Sequence, residues 1–192
     1  PYKVLFTGQH TDLVKSTEID FIFDIDTKHT DNRLSQIFIS ILQQFENLPI
    51  KDITGILVQG DTTSAFAVAT AAFNHKVPVI HLEAGLRTYD AFNPYPEEFN
   101  RKSIAALATI HLCPTLSGEE NLRKEGIKDN VYTVGNSVLD NLVNIPTSSN
   151  NKVMVTLHRR EKHNELHHWF ERINLLAEEN PQLSFVLPAH PN

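Results

Sequence analysis

An α/β fold, with a doubly wound parallel sheet, is predicted by three observations. Short apolar runs alternate with amphipathic or Ala-rich helical stretches along most of the chain. The runs are of the continuous kind that forms buried parallel strands. Ionisable clusters follow several of them, where open α/β sheets bind ligands.

Taken in order, Lys3 to Gly8 reads as a strand, then Phe21 to Ile25. Over residues 31–45, Leu34, Ile37, Phe38, Ile41, Leu42 and Phe45 recur at spacings of three and four, which predicts a helix capped by Thr30 or Asp31. Gly55 to Val58 is a strand, followed by an Ala-rich helix from Thr62 to Asn74. Val77 to Leu82 is the next strand, and Pro96 is well placed to open a helix from Glu97 to Ala108. Ile110 to Cys113, a helix from Ser117 to Glu125, Val131 to Val134 and a short helix from Ser137 to Val143 complete a first domain over 1–145. The polar stretch 146–151, Pro-Thr-Ser-Ser-Asn-Asn, reads as a linker. The pattern then restarts: a strand from Lys152 to Leu157, a helix around Leu166 to Glu179 and a strand from Ser184 to Leu187 begin a second α/β domain over 152–192. The chain opens at Pro1 and ends just after a strand, and so reads as a segment of a longer protein.

Composition narrows the function classes. The 192 residues are 41% apolar and 21% charged, with a net charge of −6, and no basic stripe points to nucleic acid. No run of 18 apolar residues could span a membrane, and no signal peptide is visible. The single cysteine, Cys113, lies in an apolar run; it excludes an internal disulfide, fits a cytoplasmic location and reads as packing.

Four clusters could carry chemistry. In GDTTS, Asp61 is either a site acid or a helix cap, and local sequence alone favours the cap. In HLEAGLRT, Glu83 must be paired or reach a solvated cleft, and Arg87 is its nearest candidate partner; a structural pair and a site acid stand equally open. The stiff, aromatic loop Tyr89 to Pro96 resembles a substrate wall and leads into Glu97 and Glu98 at a helix start. The helix dipole alone accounts for both acids; the functional reading turns one into the crevice and leaves the other in solvent. Asn100 and Arg101, one turn on, can pair with those acids or touch a ligand. In VTLHRRE, His158, Arg159 and Arg160 end a strand; with His190 they could clamp a diphosphate. His10 ends the first strand and is placed to line the crevice, whereas His81 and His111 read as core histidines. VGNSVLD is a weaker anion-site candidate at a helix start, and its single Gly reads more readily as an ordinary strand-to-helix turn. No metal-ligand spacing, dinucleotide fingerprint, Walker motif or serine-hydrolase elbow is present.

TGQH, QGDTTSAFA, HLEAGLRT, PEEFNR, GNSVLD, TLHRRE and PAHPN, in this order, resemble the non-hydrolysing UDP-N-acetylglucosamine 2-epimerases. HLEAGLRT followed by PEEFNR is the specific part. The resemblance implies two Rossmann-like domains of glycosyltransferase-B type, with the active site between them. It implies interconversion of UDP-GlcNAc and UDP-ManNAc by elimination of UDP to 2-acetamidoglucal and re-addition, to supply surface polysaccharide. No cofactor is implied, and a homodimer is expected. The implied catalytic residues are Asp61, Glu83, Glu97 and His158, which outweighs the capping reading of Asp61. Substrate contacts are expected at His10, Arg87, Asn100, Arg101, Arg159 and His190. A second UDP-GlcNAc acting as allosteric activator would involve Gln9, Glu97, Arg159 and His190. The family's first strand and most of its second domain have no counterpart in these 192 residues, so the segment alone is expected to be inactive. Two other readings stay open: a hydrolysing epimerase or nucleotide-sugar glycosyltransferase on the same architecture, and a non-catalytic nucleotide-sugar binding module.

Overall fold

A computed structural model describes residues 2–8, 18–26, 31–146, 150–156 and 166–188. The chain divides into two compact units, Pro1–Val143 and Asn144–Asn192.

The first unit holds two parallel sheets. Strands β1 (Leu5–Phe6) and β2 (Phe21–Ile22) form a short pair, both strands briefer than their apolar runs predict. Helix α1 (Arg33–Phe45) buries Ile37, Ile41 and Phe45, one turn apart on the predicted stripe. It starts later than expected: Asn32, in extended backbone, accepts the Ser35 N–H at 3.0 Å and is the cap, not Thr30 or Asp31; Thr30 lies outside the described residues.

The second sheet has the order β3 (Ile56–Gln59), β4 (Val79–Leu82), β5 (Ile110–Cys113), β6 (Val131–Thr133), all parallel. Its crossovers are α2 (Thr63–Asn74), α3 (Glu97–Leu107) and α4 (Leu116–Lys124). Register aligns Val58, His81, His111 and Val131 across the four strands, and all four are buried. Val79 and Cys113 project the same way, two residues along their strands. Neighbours of opposite parity, such as Leu57 and Tyr132, are exposed. The helices thus cover the His81 face. The alanines of α2, buried on most sides, let it pack on β3 and β4 while touching α1 and α3. After β6 comes a five-residue 3₁₀ turn, Ser137–Asn141, in place of the expected helix.

The second unit pairs β7 (Lys152–Met154) with β8 (Ser184–Val186) in parallel, connected through α5 (Leu166–Glu179). The helix keeps its predicted span.

Candidate active site at the strand ends

The chain leaves β3 through Gly60, whose φ of +70° favours glycine. Asp61 follows. It does not cap α2: Thr62 does, its Oγ1 accepting the Ala65 N–H at 3.1 Å. The Asp61 carboxylate is instead free to accept from the Arg101 guanidinium at 2.5 Å, and Asn100 Nδ2 donates to the Asp61 carbonyl at 2.8 Å. Consecutive residues of α3 therefore hold Asp61 by main chain and side chain.

Glu83 terminates β4 in a left-handed conformation, φ +67°, unusual for a residue other than glycine. Strain of this kind collects at functional sites. Its Oε2 lies 3.6 Å from where a Cβ on Gly60 would stand, so its carboxylate reaches the turn that precedes Asp61. Two residues earlier, within β4, His81 Nε2 hydrogen-bonds the Gly60 carbonyl at 2.9 Å. A carbonyl only accepts, so Nε2 carries the proton. Burial pushes the His81 pKa down to about 4, and the imidazole is neutral at pH 7.

Arg87 is not the partner of Glu83. Its buried guanidinium forms a fork with Glu125, Nε to Oε1 at 2.8 Å and Nη2 to Oε2 at 2.7 Å, and also donates to the Leu86 carbonyl. The Arg87 hydrogen bonds hold the Glu125 carboxyl below the usual carboxylate range. The fork joins the loop after β4 to the end of α4.

At the head of α3 the two acids divide differently from the sequence expectation, since neither stays in solvent. Glu98 is fully buried and accepts the backbone N–H groups of Thr88 and Tyr89, each at 3.0 Å. It also faces Arg101 Nη1 at 3.4 Å. Glu97 is half-buried, and its Oε2 is enclosed without a hydrogen-bond partner among the described residues. An enclosed, unpaired carboxylate oxygen is costly in a resting protein and is a ready acceptor for a ligand proton.

Between these acids runs the loop 88–96. Tyr89, Phe92 and Tyr95 are exposed, Phe92 stacks on Tyr95 at 6.3 Å, and the Tyr89 hydroxyl donates to Asn121 at 3.0 Å. A nearby apolar hollow of about 220 Å³ is lined by Leu34, Phe38, Phe66, Tyr95, Phe99 and Asn100, but not by Asp61, Glu83 or Glu97. At GNSVLD, the weaker anion-site candidate, Asn136 itself takes the Val138 N–H at 3.1 Å, as an ordinary strand-to-helix turn would. Gln9, His10, His158, Arg159 and His190 lie outside the described residues.

The structure thus brings Asp61, Asn100 and Arg101 together, sets Glu83 beside Gly60, and places Glu97 next to the buried Glu98. Sequence reasoning missed the anchoring by Glu98 and the brace from His81. Glu98 and Arg101 at i, i+3 were the available signal. The Arg87–Glu125 fork, 38 residues apart, left none.

Comparison with known proteins agrees with the motifs. The family model described as UDP-N-acetylglucosamine 2-epimerase matches residues 1–192. The UDP-N-acetylglucosamine 2-epimerase of Neisseria meningitidis serogroup A is 36% identical over 99% of this chain and 58% of its own length. That of Campylobacter jejuni is 34% identical over 100% of the chain and 58% of its own. The chain therefore spans a little over half the length of these curated relatives. Among solved structures, the N. meningitidis UDP-GlcNAc 2-epimerase bound to UDP-GlcNAc aligns with a TM-score of 0.78 at 34% identity, over 91% of this chain and 53% of that one. The Methanocaldococcus jannaschii enzyme in complex with UDP-GlcNAc and UDP aligns at 0.72 and 26% identity, over 91% and 52%. The chain belongs to the UDP-N-acetylglucosamine 2-epimerase family.

Proposed function

We propose that the protein carrying this chain interconverts UDP-GlcNAc and UDP-ManNAc without hydrolysis, by eliminating UDP to 2-acetamidoglucal, then returning UDP to C1 and a proton to the opposite face of C2. The observation that carries the reading is a set of three acids: Asp61 after β3, oriented by Arg101; Glu83 at the end of β4, beside Gly60; and Glu97 at the head of α3, with an enclosed oxygen that has no partner among the described residues. The relatives' solved complexes with UDP-GlcNAc support the substrate class.

The C2 proton is weakly acidic, so removing it requires a base within hydrogen-bond reach. As the C1–O bond breaks, its electron pair leaves with UDP, the C2–H pair forms the C1–C2 double bond, and positive charge develops on the ring. A nearby carboxylate stabilises that charge. Re-addition reforms the C1–O bond and delivers a proton to the opposite face of C2, so no electron is gained or lost overall and no redox cofactor is required. His158, with Arg159 and His190, is assigned to the UDP phosphates on the motif match alone. A homodimer, activation by a second UDP-GlcNAc through Gln9, Glu97, Arg159 and His190, a cytoplasmic setting and a role in surface polysaccharide supply belong to the same reading. Among the described residues, no helix is long and apolar enough to cross a membrane.

The test is turnover of UDP-GlcNAc by the full-length protein in heavy water, followed by NMR. UDP-ManNAc carrying deuterium at C2 is the expected product. Free ManNAc with UDP would establish the hydrolysing chemistry instead, and binding without exchange would make the protein a binding module. Glu97→Gln should retain UDP-GlcNAc binding while turnover falls about 100-fold or more.

A further inference from the structure

We infer that Glu98 is a positioning residue that sets the Asp61 carboxylate through Arg101, and so ties the geometry of the site to the turn at Thr88 and Tyr89. The inference rests on the proposed epimerase reading for its kinetic consequence, but its geometry is independent of that reading.

Asp61 is the first residue after a glycine turn, and Thr62 has taken over the helix-capping role. Its side chain therefore receives its orientation from α3. Arg101 Nη2 is hydrogen-bonded to Asp61 Oδ2, and Nη1 of the same guanidinium faces Glu98 Oε2 at 3.4 Å. The planar fork allows one arginine to bridge two carboxylates in fixed geometry, which an ammonium on a flexible stem cannot reproduce. Glu98 has no freedom to follow a moving partner. It is fully buried, Oε1 is held by the Tyr89 N–H, and Oε2 by the Thr88 N–H. Tyr89 has φ +63°, so the pair of N–H donors comes from a sharp turn rather than a helix end. Glu98 thus acts as the fixed end of a three-part link: turn to Glu98, Glu98 to Arg101, Arg101 to Asp61.

A structural role for Glu98 would also require burial and pairing. The distinguishing feature is direction. The link ends on the carboxylate of Asp61, the residue after the Gly60 turn that Glu83 faces, and Asn100 holds the same residue by its carbonyl. Displacing a reacting group by about 1 Å can cost on the order of 100-fold in rate, so a link that removes such freedom has a kinetic effect larger than its effect on folding.

The experiment is a double-mutant cycle on the full-length protein with Glu98→Gln, Arg101→Lys and the double variant, reading kcat, KM and thermal midpoint. Each single variant is expected to lose about 10- to 100-fold in kcat with KM within about twofold. The double variant should be no worse than the poorer single one, because both break the same link. Multiplicative losses, or a loss confined to the thermal midpoint, would overturn the inference. If Glu98→Gln does not fold, Arg101→Lys alone decides, and wild-type kcat in that variant would refute the link. If wild-type protein does not epimerise UDP-GlcNAc, the proposed function fails and the geometric step is read by crystallography. An Arg101 still seated on Asp61 in the Glu98→Gln crystal structure would then refute the inference; a displaced Arg101 would uphold it.

Discussion

Acidification probes the brace beneath the Asp61 turn. His81 is fully buried between strands, with Nε2 donating to the Gly60 carbonyl at 2.9 Å. Loss of solvation lowers its pKa from 6.5 to about 4; the hydrogen bond to Gly60 opposes this, and the charges of His111, Arg87 and Arg101 add to it. The folded imidazole therefore stays neutral where the unfolded chain already binds a proton. The sign follows directly. The stabilisation is complete above pH 6.5 and is lost as pH falls toward 4. The slope reaches about 1.4 kcal/mol per pH unit, and the total comes to about 3 kcal/mol. That is a large fraction of the roughly 5–15 kcal/mol that holds a domain folded. Burial shifts His111 downward as well, which adds to the trend. Urea melts of wild type and His81→Gln at a series of pH values from 7.5 to 4.5 provide the assay. The Gln amide can still donate to Gly60 but does not titrate. The variant is expected to start less stable at pH 7.5 and then to lose about 2 kcal/mol less than wild type by pH 4.5. Parallel stability curves for the two proteins would show that His81 is not buried as a neutral donor, and the argument would fail.

Other expectations follow from the same packing. Cys113 is fully buried and desolvation raises its pKa to about 11, so iodoacetamide at pH 8 should label it only after urea unfolds the protein, as read by mass spectrometry. Gly85 has φ +84°, and a Cβ there would lie 2.1 Å from the Gly118 carbonyl oxygen, so Gly85→Ala should cost about 2 kcal/mol or more, or prevent folding; a thermal midpoint within a degree of wild type would contradict this. Arg87→Met leaves Glu125 without its fork and should destabilise by about 3 kcal/mol in urea melts, with Glu125→Leu restoring part of the loss in the double variant.

Local periodicity made much of the fold legible. The stripe Ile37, Ile41, Phe45 specifies α1 because each residue lies about one turn from the next, and burial follows. Short parallel strands lose their ends, because pairing rather than hydrophobicity sets where a strand stops; β1 and β2 retain two residues each from longer apolar runs. The site was legible as a set of acids at strand ends, but the partner of each acid was not. Asp61 and Thr62 can both cap a helix, and only the left-handed turn at Gly60 decides that Thr62 does so. Glu97 and Glu98 are adjacent and chemically alike; one turns inward to the 88–89 backbone, and the other keeps an oxygen unpaired among the described residues. Arg87 stood nearest Glu83 in sequence, yet a strand ending in a left-handed residue turns Glu83 toward Gly60 and leaves Arg87 for α4.

This allocation of cations bears on how the protein would hold its ligand. Among the described residues near the strand ends, Arg87 is committed to Glu125 and Arg101 to Asp61 and Glu98. Each guanidinium is thereby neutralised by carboxylates, which weakens it as a partner for a diphosphate. Two more carboxyl groups follow the same strands and helix, Glu83 beside Gly60 and Glu97 at the head of α3. An environment so rich in acid suits proton abstraction and stabilisation of a cationic sugar ring, and it repels phosphate. In the proposed reaction the charge that retains UDP must therefore come from elsewhere in the protein, for which His158, Arg159 and Arg160 are the candidates the sequence offers. On that reading the acids that act on the sugar and the cations that hold the leaving group are different residues, which would let UDP depart from C1 without leaving the enzyme, the condition for its re-addition.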